Sequence, residues 1–187
     1  MNSDTEKSFI ATLKMFDHKL NFLEALHGKP ALATVSMFSG GFFTGKPQTH
    51  DHSSMLGICP NERGSAAAPL KLYFRHTPNG YVLAIKNTGE YYNQFISESW
   101  LEILGAVKST IEDLTVFTLI DHQNKPITLD NLQANHSPIS LMTEDKRYVG
   151  GIKVKGSPYV YLGNTKERSK ITFILSVLER KVPDSES

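Results

Sequence analysis

His50, Asp51 and His52 lie side by side in a polar stretch that runs to Ser54, and the chain's single cysteine, Cys59, follows shortly after. Two imidazoles flanking a carboxylate could begin a zinc site, which takes three or four N, O or S ligands oriented by outer partners. A thiol near a histidine could instead be a nucleophile, provided a third group holds the base. Spacing alone completes neither set. These residues are better read as a solvated loop around His50 and His52, with Cys59 a small buried apolar residue on a strand. The glycine-rich segment from Ser39 to Gly45 runs into Lys46-Pro47, so it lacks the spacing of a phosphate-cradling loop and implies no nucleotide. The sole tryptophan, Trp100, follows Glu98-Ser99 rather than the Gln-x pair of ricin-type sugar readers. The expectation is a protein that catalyses no reaction and carries neither metal nor cofactor.

The elements that must position any site belong to a chain of 187 residues, long enough for one well-filled core. Lys plus Arg number 20 against 19 Asp plus Glu, so no bulk field draws the chain to nucleic acid or an anionic membrane. No apolar run reaches the length of a membrane span, and the start, MNSDTEKSF, lacks the basic and apolar segments of a secretory signal. Synthesis in the cytosol is expected. With one cysteine there is no intrachain disulfide framework, and the fold must rest on its apolar core.

Strand signals dominate. From Lys146 to Val177, β-branched and aromatic residues cluster at 147–152, 158–163 and 171–177 between breakers at Gly156-Ser157 and Gly163-Asn164. Residues 31–38, 55–59, 70–75, 80–85, 100–104, 116–120 and 127–132 read as further strands, with a hairpin signal at Thr77-Pro78-Asn79-Gly80. Residues 90–99 are ambiguous, 108–113 suit a helical turn, and 133–145 read as a long polar excursion. Residues 3–28 fit two patterns: a helix opened by Ser3 and Glu6 and closed by Gly28, or two strands at 13–17 and 20–26.

With the two-strand option the chain holds twelve strands in three sets of four, beginning near Leu13, Leu70 and Ile127, about 57 residues apart. Such a tripled set predicts an all-β fold, a β-trefoil with pseudo-threefold symmetry. In it a six-stranded barrel is capped by three hairpins and few edges are left open. The expected organisation is a flexible segment at 1–12, a single domain at 13–181 and a disordered tail at 182–187.

Read this way, the chain resembles the interleukin-1 family of cytokines, in particular the branch that holds the receptor antagonist and the interleukin-36 group. The resemblance rests on Ser157-Pro158-Tyr159-Val160-Tyr161-Leu162-Gly163 followed by Ile171-Thr172-Phe173, on Arg147-Tyr148-Val149, and on Leu101-Glu102-Ile103 followed by Val116-Phe117-Thr118. It extends to Ile58-Cys59-Pro60-Asn61 and to Phe16-Asp17 followed by Lys19, Phe22 and Leu23. The family's Phe-Glu-Ser segment is replaced by Leu129-Asp130-Asn131. The resemblance implies a monomeric, leaderless ligand. It would be made in the cytoplasm, act outside the cell, and bind the immunoglobulin-like ectodomain of a receptor as agonist or antagonist. It implies receptor-binding roles for Lys14, Phe42, Phe43, Lys108 and Glu112. Fascin-like actin binders and lectins share the trefoil, so an intracellular binding module is the alternative.

Overall fold

The computed structural model describes residues 4–35, 38–39, 42–43, 47–108 and 113–184. Strands β1 (Phe9–Lys14) and β2 (His18–Phe22) open the chain and lead into one helical turn, α1 (Leu23–His27). An insertion then carries two small ladders, β3 (Leu32–Val35) with β6 (Gln48–Asp51), and β4 (Phe38–Ser39) with β5 (Phe42–Phe43). The main sheet resumes with β7 (Leu56–Pro60), β8 (Leu70–Thr77), β9 (Gly80–Ile85), β10 (Phe95–Trp100) and β11 (Ile103–Val107). After these come β12 (Phe117–Ile120), the two-residue β13 (Pro126–Ile127), β14 (Ser137–Thr143), β15 (Tyr148–Lys153), β16 (Val160–Thr165) and β17 (Phe173–Arg180).

The fold is all-β, and its pairing closes on itself. β1 pairs with β8 and β17, β8 with β9, β9 with β12, β12 with β14, and β14 with β17, a circuit of six strands. A wider circuit of nine leaves β9 through β10, β11, β16 and β15 before rejoining β14. Closure satisfies strand edges that an open sheet would leave bare. Alternation sends one face of each strand inward, as in β1, where Phe9, Ala11 and Leu13 are buried and Lys14 is exposed. Phe9, Phe74, Tyr81, Phe117, Leu141 and Phe173 belong to the main core, with the Phe9 and Phe74 rings stacked 4.7 Å apart.

Three antiparallel ladders, the hairpins β2 with β7, β10 with β11 and β15 with β16, also meet one another. β16 pairs with both β7 and β11, while Met55 bridges to Gly105. Each meeting point is a glycine facing a neighbouring carbonyl. A Cβ on Gly57 would lie 2.8 Å from Val160 O, one on Gly105 3.0 Å from Ser54 O, and one on Gly163 2.5 Å from Glu102 O. The contacts run in a cycle, the first hairpin against the third, the second against the first and the third against the second.

Several expectations need correction. Within the segment expected to be flexible, β1 begins at Phe9, whose side chain is fully buried. Residues 3–28 satisfy both patterns in part, forming two strands and then one helical turn after Phe22. Of the strand expected at 31–38, Leu32–Val35 leaves the main sheet and pairs with β6, Phe38 belongs to β4, and 36–37 lie outside the described residues. At 127–132 a full strand is absent: β13 ends at Ile127 and Leu129–Asn131 is a 3-10 turn capped by Thr128. The polar excursion at 133–145 instead contains β14, whose Ile139, Leu141 and Thr143 point inward. Phe42 and Phe43 form a short strand rather than a loop. The tail is tied as far as Asp184, since Val182 N–H donates to Ser8 O and Asp184 accepts from Arg75 at 3.0 Å.

Candidate protein-binding groove

β2 has a sheet partner on one side only among the described residues. On its other side runs the extended segment Ser65 to Pro69, and a groove of about 350 Å³ lies between them. Antiparallel geometry decides which main-chain groups face this groove. Leu23 N–H donates to Met55 O at 2.8 Å, which makes Leu23 opposite Met55 a hydrogen-bonded pair. Such pairs alternate along the ladder, so Asn21 and Lys19 bond to β7, while His18, Leu20 and Phe22 turn their N–H and C=O outward. Pro60, opposite His18, fits this alternation because it has no N–H to give. The Asn21 side chain closes one end of the open edge: its Oδ1 accepts the Phe22 N–H and its Nδ2 donates to Ala68 O. His18 and Leu20 are left with outward main-chain groups that no strand among the described residues pairs.

The groove's walls are mixed. Met15, Leu20, Leu26 and the Ala66 to Pro69 stretch supply apolar surface, and Lys14 and Lys19 supply charge, with no carboxylate in the lining. Lys19 Nζ also donates to Gly64 O across the groove at 3.1 Å. Beyond the rim, Asp17 lies 2.9 Å from His18 Nδ1, and that contact holds its carboxyl below the usual range. On the same turn between β1 and β2 stands Phe16, 88% exposed, its carbonyl accepting from Asn61 Nδ2. A phenyl ring held in water on a short turn costs hydration that a partner would relieve.

Of the residues implied as receptor anchors, Lys14 is exposed and lines this groove. Lys108 is exposed just past β11, outside the groove's lining. Phe42 and Phe43 form β5 on the separate small ladder with β4. Glu112 lies outside the described residues.

The histidines are assembled into packing rather than left as a solvated loop. His52 is only 2% exposed, and its Nδ1 is 2.6 Å from the Tyr161 hydroxyl, which in turn sits 2.6 Å from Ser157 Oγ. The Trp100 ring lies 4.6 Å from that imidazole and the His50 ring 6.0 Å away on a parallel plane. Burial lowers the His52 pKa, with the His50 charge adding to the effect and Asp51 opposing it. Asp51 is engaged locally, its Oδ1 accepting the Ser53 N–H and hydroxyl. Among the described residues no group of three or more His, Cys, Asp or Glu is placed to hold a metal ion. Cys59 is buried, its thiol pushed up by desolvation and directed to Arg63 O.

Two features, one beside the groove and one in its wall, escape sequence reasoning. Phe16 reads as a strand residue bound for the core, since residue type says nothing about which side of a turn it leaves. The Ser65 to Pro69 wall, rich in alanine, reads as an uninformative loop, and only Pro69 hints at extended backbone. Comparison with protein-family models, curated proteins and solved structures gives no match.

Proposed function

We propose that this chain is a protein ligand of cytokine type, built as a β-trefoil, that binds the immunoglobulin-like ectodomain of a cell-surface receptor and catalyses no reaction. The trefoil reading is supported by twelve of the strands falling into three sets of four: β1, β2, β7 and β8; β9 to β12; β14 to β17. The sets start at Phe9, Gly80 and Ser137, and the first is stretched by the insertion that carries β3 to β6. The cyclic glycine contacts between the hairpins suit a pseudo-threefold axis. The resemblance to the interleukin-1 family gives the direction of the reading: a leaderless ligand acting outside the cell, as agonist or antagonist.

The observation that carries the functional reading is Phe16, an aromatic side chain 88% exposed on the turn between β1 and β2, next in the chain to Met15 of a groove lined by Lys14 and Lys19. Buried aromatic side chains flanked by charge concentrate binding energy at protein interfaces. The test is surface-plasmon binding of the native chain to a panel of immunoglobulin-type receptor ectodomains, beside Phe16→Ala and Lys14→Glu. Nanomolar binding to one ectodomain is expected, weakened at least about ten-fold by either change. Because both side chains are exposed, each variant should keep its unfolding free energy within about 0.5 kcal/mol of native. Cosedimentation with actin filaments or retention on a glycan column, with every ectodomain ignored, would replace this reading with an intracellular binding module.

A further inference from the structure

We infer that the groove beside β2 takes an extended, acidic segment of a partner protein as an added β-strand, hydrogen-bonded to the outward main chain of His18 and Leu20. The inference rests on the groove being the partner-binding face, but not on the partner being an immunoglobulin-type receptor.

The edge itself is the first observation. Closed pairing deals with most strands of the barrel, and among the described residues β2 is left with one free side. The hydrogen-bonding alternation puts two N–H donors and two C=O acceptors on that side, at His18 and Leu20. Phe22, the next outward residue, already has its N–H capped by Asn21 Oδ1, so the open stretch has a defined end. Proteins usually blunt a free edge with a proline, a bulge or a covering chain. Here the chain that runs past, Ser65 to Pro69, is held by side-chain bonds from Asn21 and Lys19 to Ala68 O and Gly64 O, and the groove lies between. An extended peptide adding to an exposed edge gains main-chain bonds for affinity and reads alternate side chains for specificity.

Charge selects the occupant. Lys14 and Lys19 line the groove and no carboxylate does. His18 is offset by Asp17 at 2.9 Å, so the two lysines set the sign. An incoming strand fits when one face places apolar side chains toward Leu20 and Leu26 and the other places carboxylates within reach of Lys14 and Lys19. A basic or proline-rich segment would meet like charge or lack the donors the edge requires.

The test uses the full-length chain and the synthetic peptide acetyl-Glu-Val-Glu-Val-Glu-Val-amide, followed by backbone amide NMR. Binding should shift the amide signals of His18 to Asn21 and of residues 65–69. It should also slow hydrogen exchange at His18 and Leu20 at least about ten-fold, as new main-chain bonds form. Two peptides N-methylated on alternate residues should separate, one losing binding and the other keeping it, because only one set of amides faces β2. His18→Pro removes one outward N–H at a position opposite Pro60 and should weaken the peptide at least about five-fold, while His18→Ala should not. The N-methyl pair keeps the inference falsifiable if His18→Pro fails to fold. Equal loss from both N-methyl peptides, shifts confined to another face, or no binding at millimolar peptide would overturn strand addition. Peptide binding without any receptor ectodomain would leave strand addition standing and remove the receptor reading; the reverse result would do the opposite.

Discussion

His52 shows how a chemically capable residue is committed to structure. A buried imidazole that bonds Tyr161 and packs on Trp100 is held neutral, since desolvation disfavours its charged form. In the unfolded chain it titrates near the ordinary 6.5. Its folded pKa is lower, so between the two values the unfolded state binds more protons, and stability rises with pH. The neutral imidazole's contribution is therefore complete above about pH 6.5 and is lost as pH falls from there through the folded value. Burial also lowers the pKa of His27 and His76, and those effects cancel when native is compared with His52→Gln. Thermal unfolding followed by Trp100, the only tryptophan, should show native losing more stability than His52→Gln between pH 7.5 and 5. Parallel pH curves for the two proteins would show that His52 is not the titrating group. Tyr81, buried and donating to Lys7 O, has its hydroxyl pushed up to about 12 and stays neutral across that range.

At the scale of elements, β1 is the seam of the barrel. It joins the C-terminal strand β17 to β8, so its residues close the ring between distant parts of the chain. Phe9 contributes most visibly, fully buried between Phe74 and Tyr81, with centroids 4.7 and 5.6 Å away. Phe9→Ala should cost about 3–5 kcal/mol in urea unfolding, as removal of a large core aromatic does elsewhere. A cost under about 1 kcal/mol would return this segment to the flexible status expected for residues 1–12. The contrast explains what was legible. β8, β9, β12 and β17 carry dense β-branched and aromatic residues, and their existence can be read from pattern alone. β14 cannot, because its buried residues include Ser140 and Thr143, which look like loop residues until the fold covers them. Lys14 was reachable through the family resemblance. The open edge of β2 was not, because edge status depends on which strands pair, and that is decided by residues far away in sequence.

For the whole molecule, the decisive contacts are the three places where hairpins touch backbone to backbone. Dispersion and packing alone would tolerate modest repacking there, but a carbonyl oxygen 2.5 Å from a would-be Cβ leaves nothing flexible to move. Gly163 is the tightest, facing Glu102 O, Ile152 Cδ1 at 2.8 Å and Ile103 Cα at 3.0 Å. Gly105 has the most room, its nearest neighbours at 3.0 and 3.1 Å. Gly163→Ala should therefore cost about 1–3 kcal/mol, and Gly105→Ala less. The hairpins also share the cycle of contacts, so strain placed on the third should reach the second, where Trp100 reports. Native and Gly163→Ala should each unfold in one transition, with tryptophan fluorescence and far-ultraviolet circular dichroism coinciding, the variant at the lower temperature. A variant whose fluorescence transition stays at the native midpoint while circular dichroism shifts would mean that the hairpins melt independently. In that case the cyclic contacts would not couple the three sets of strands, and the argument for a threefold unit would lose its energetic basis.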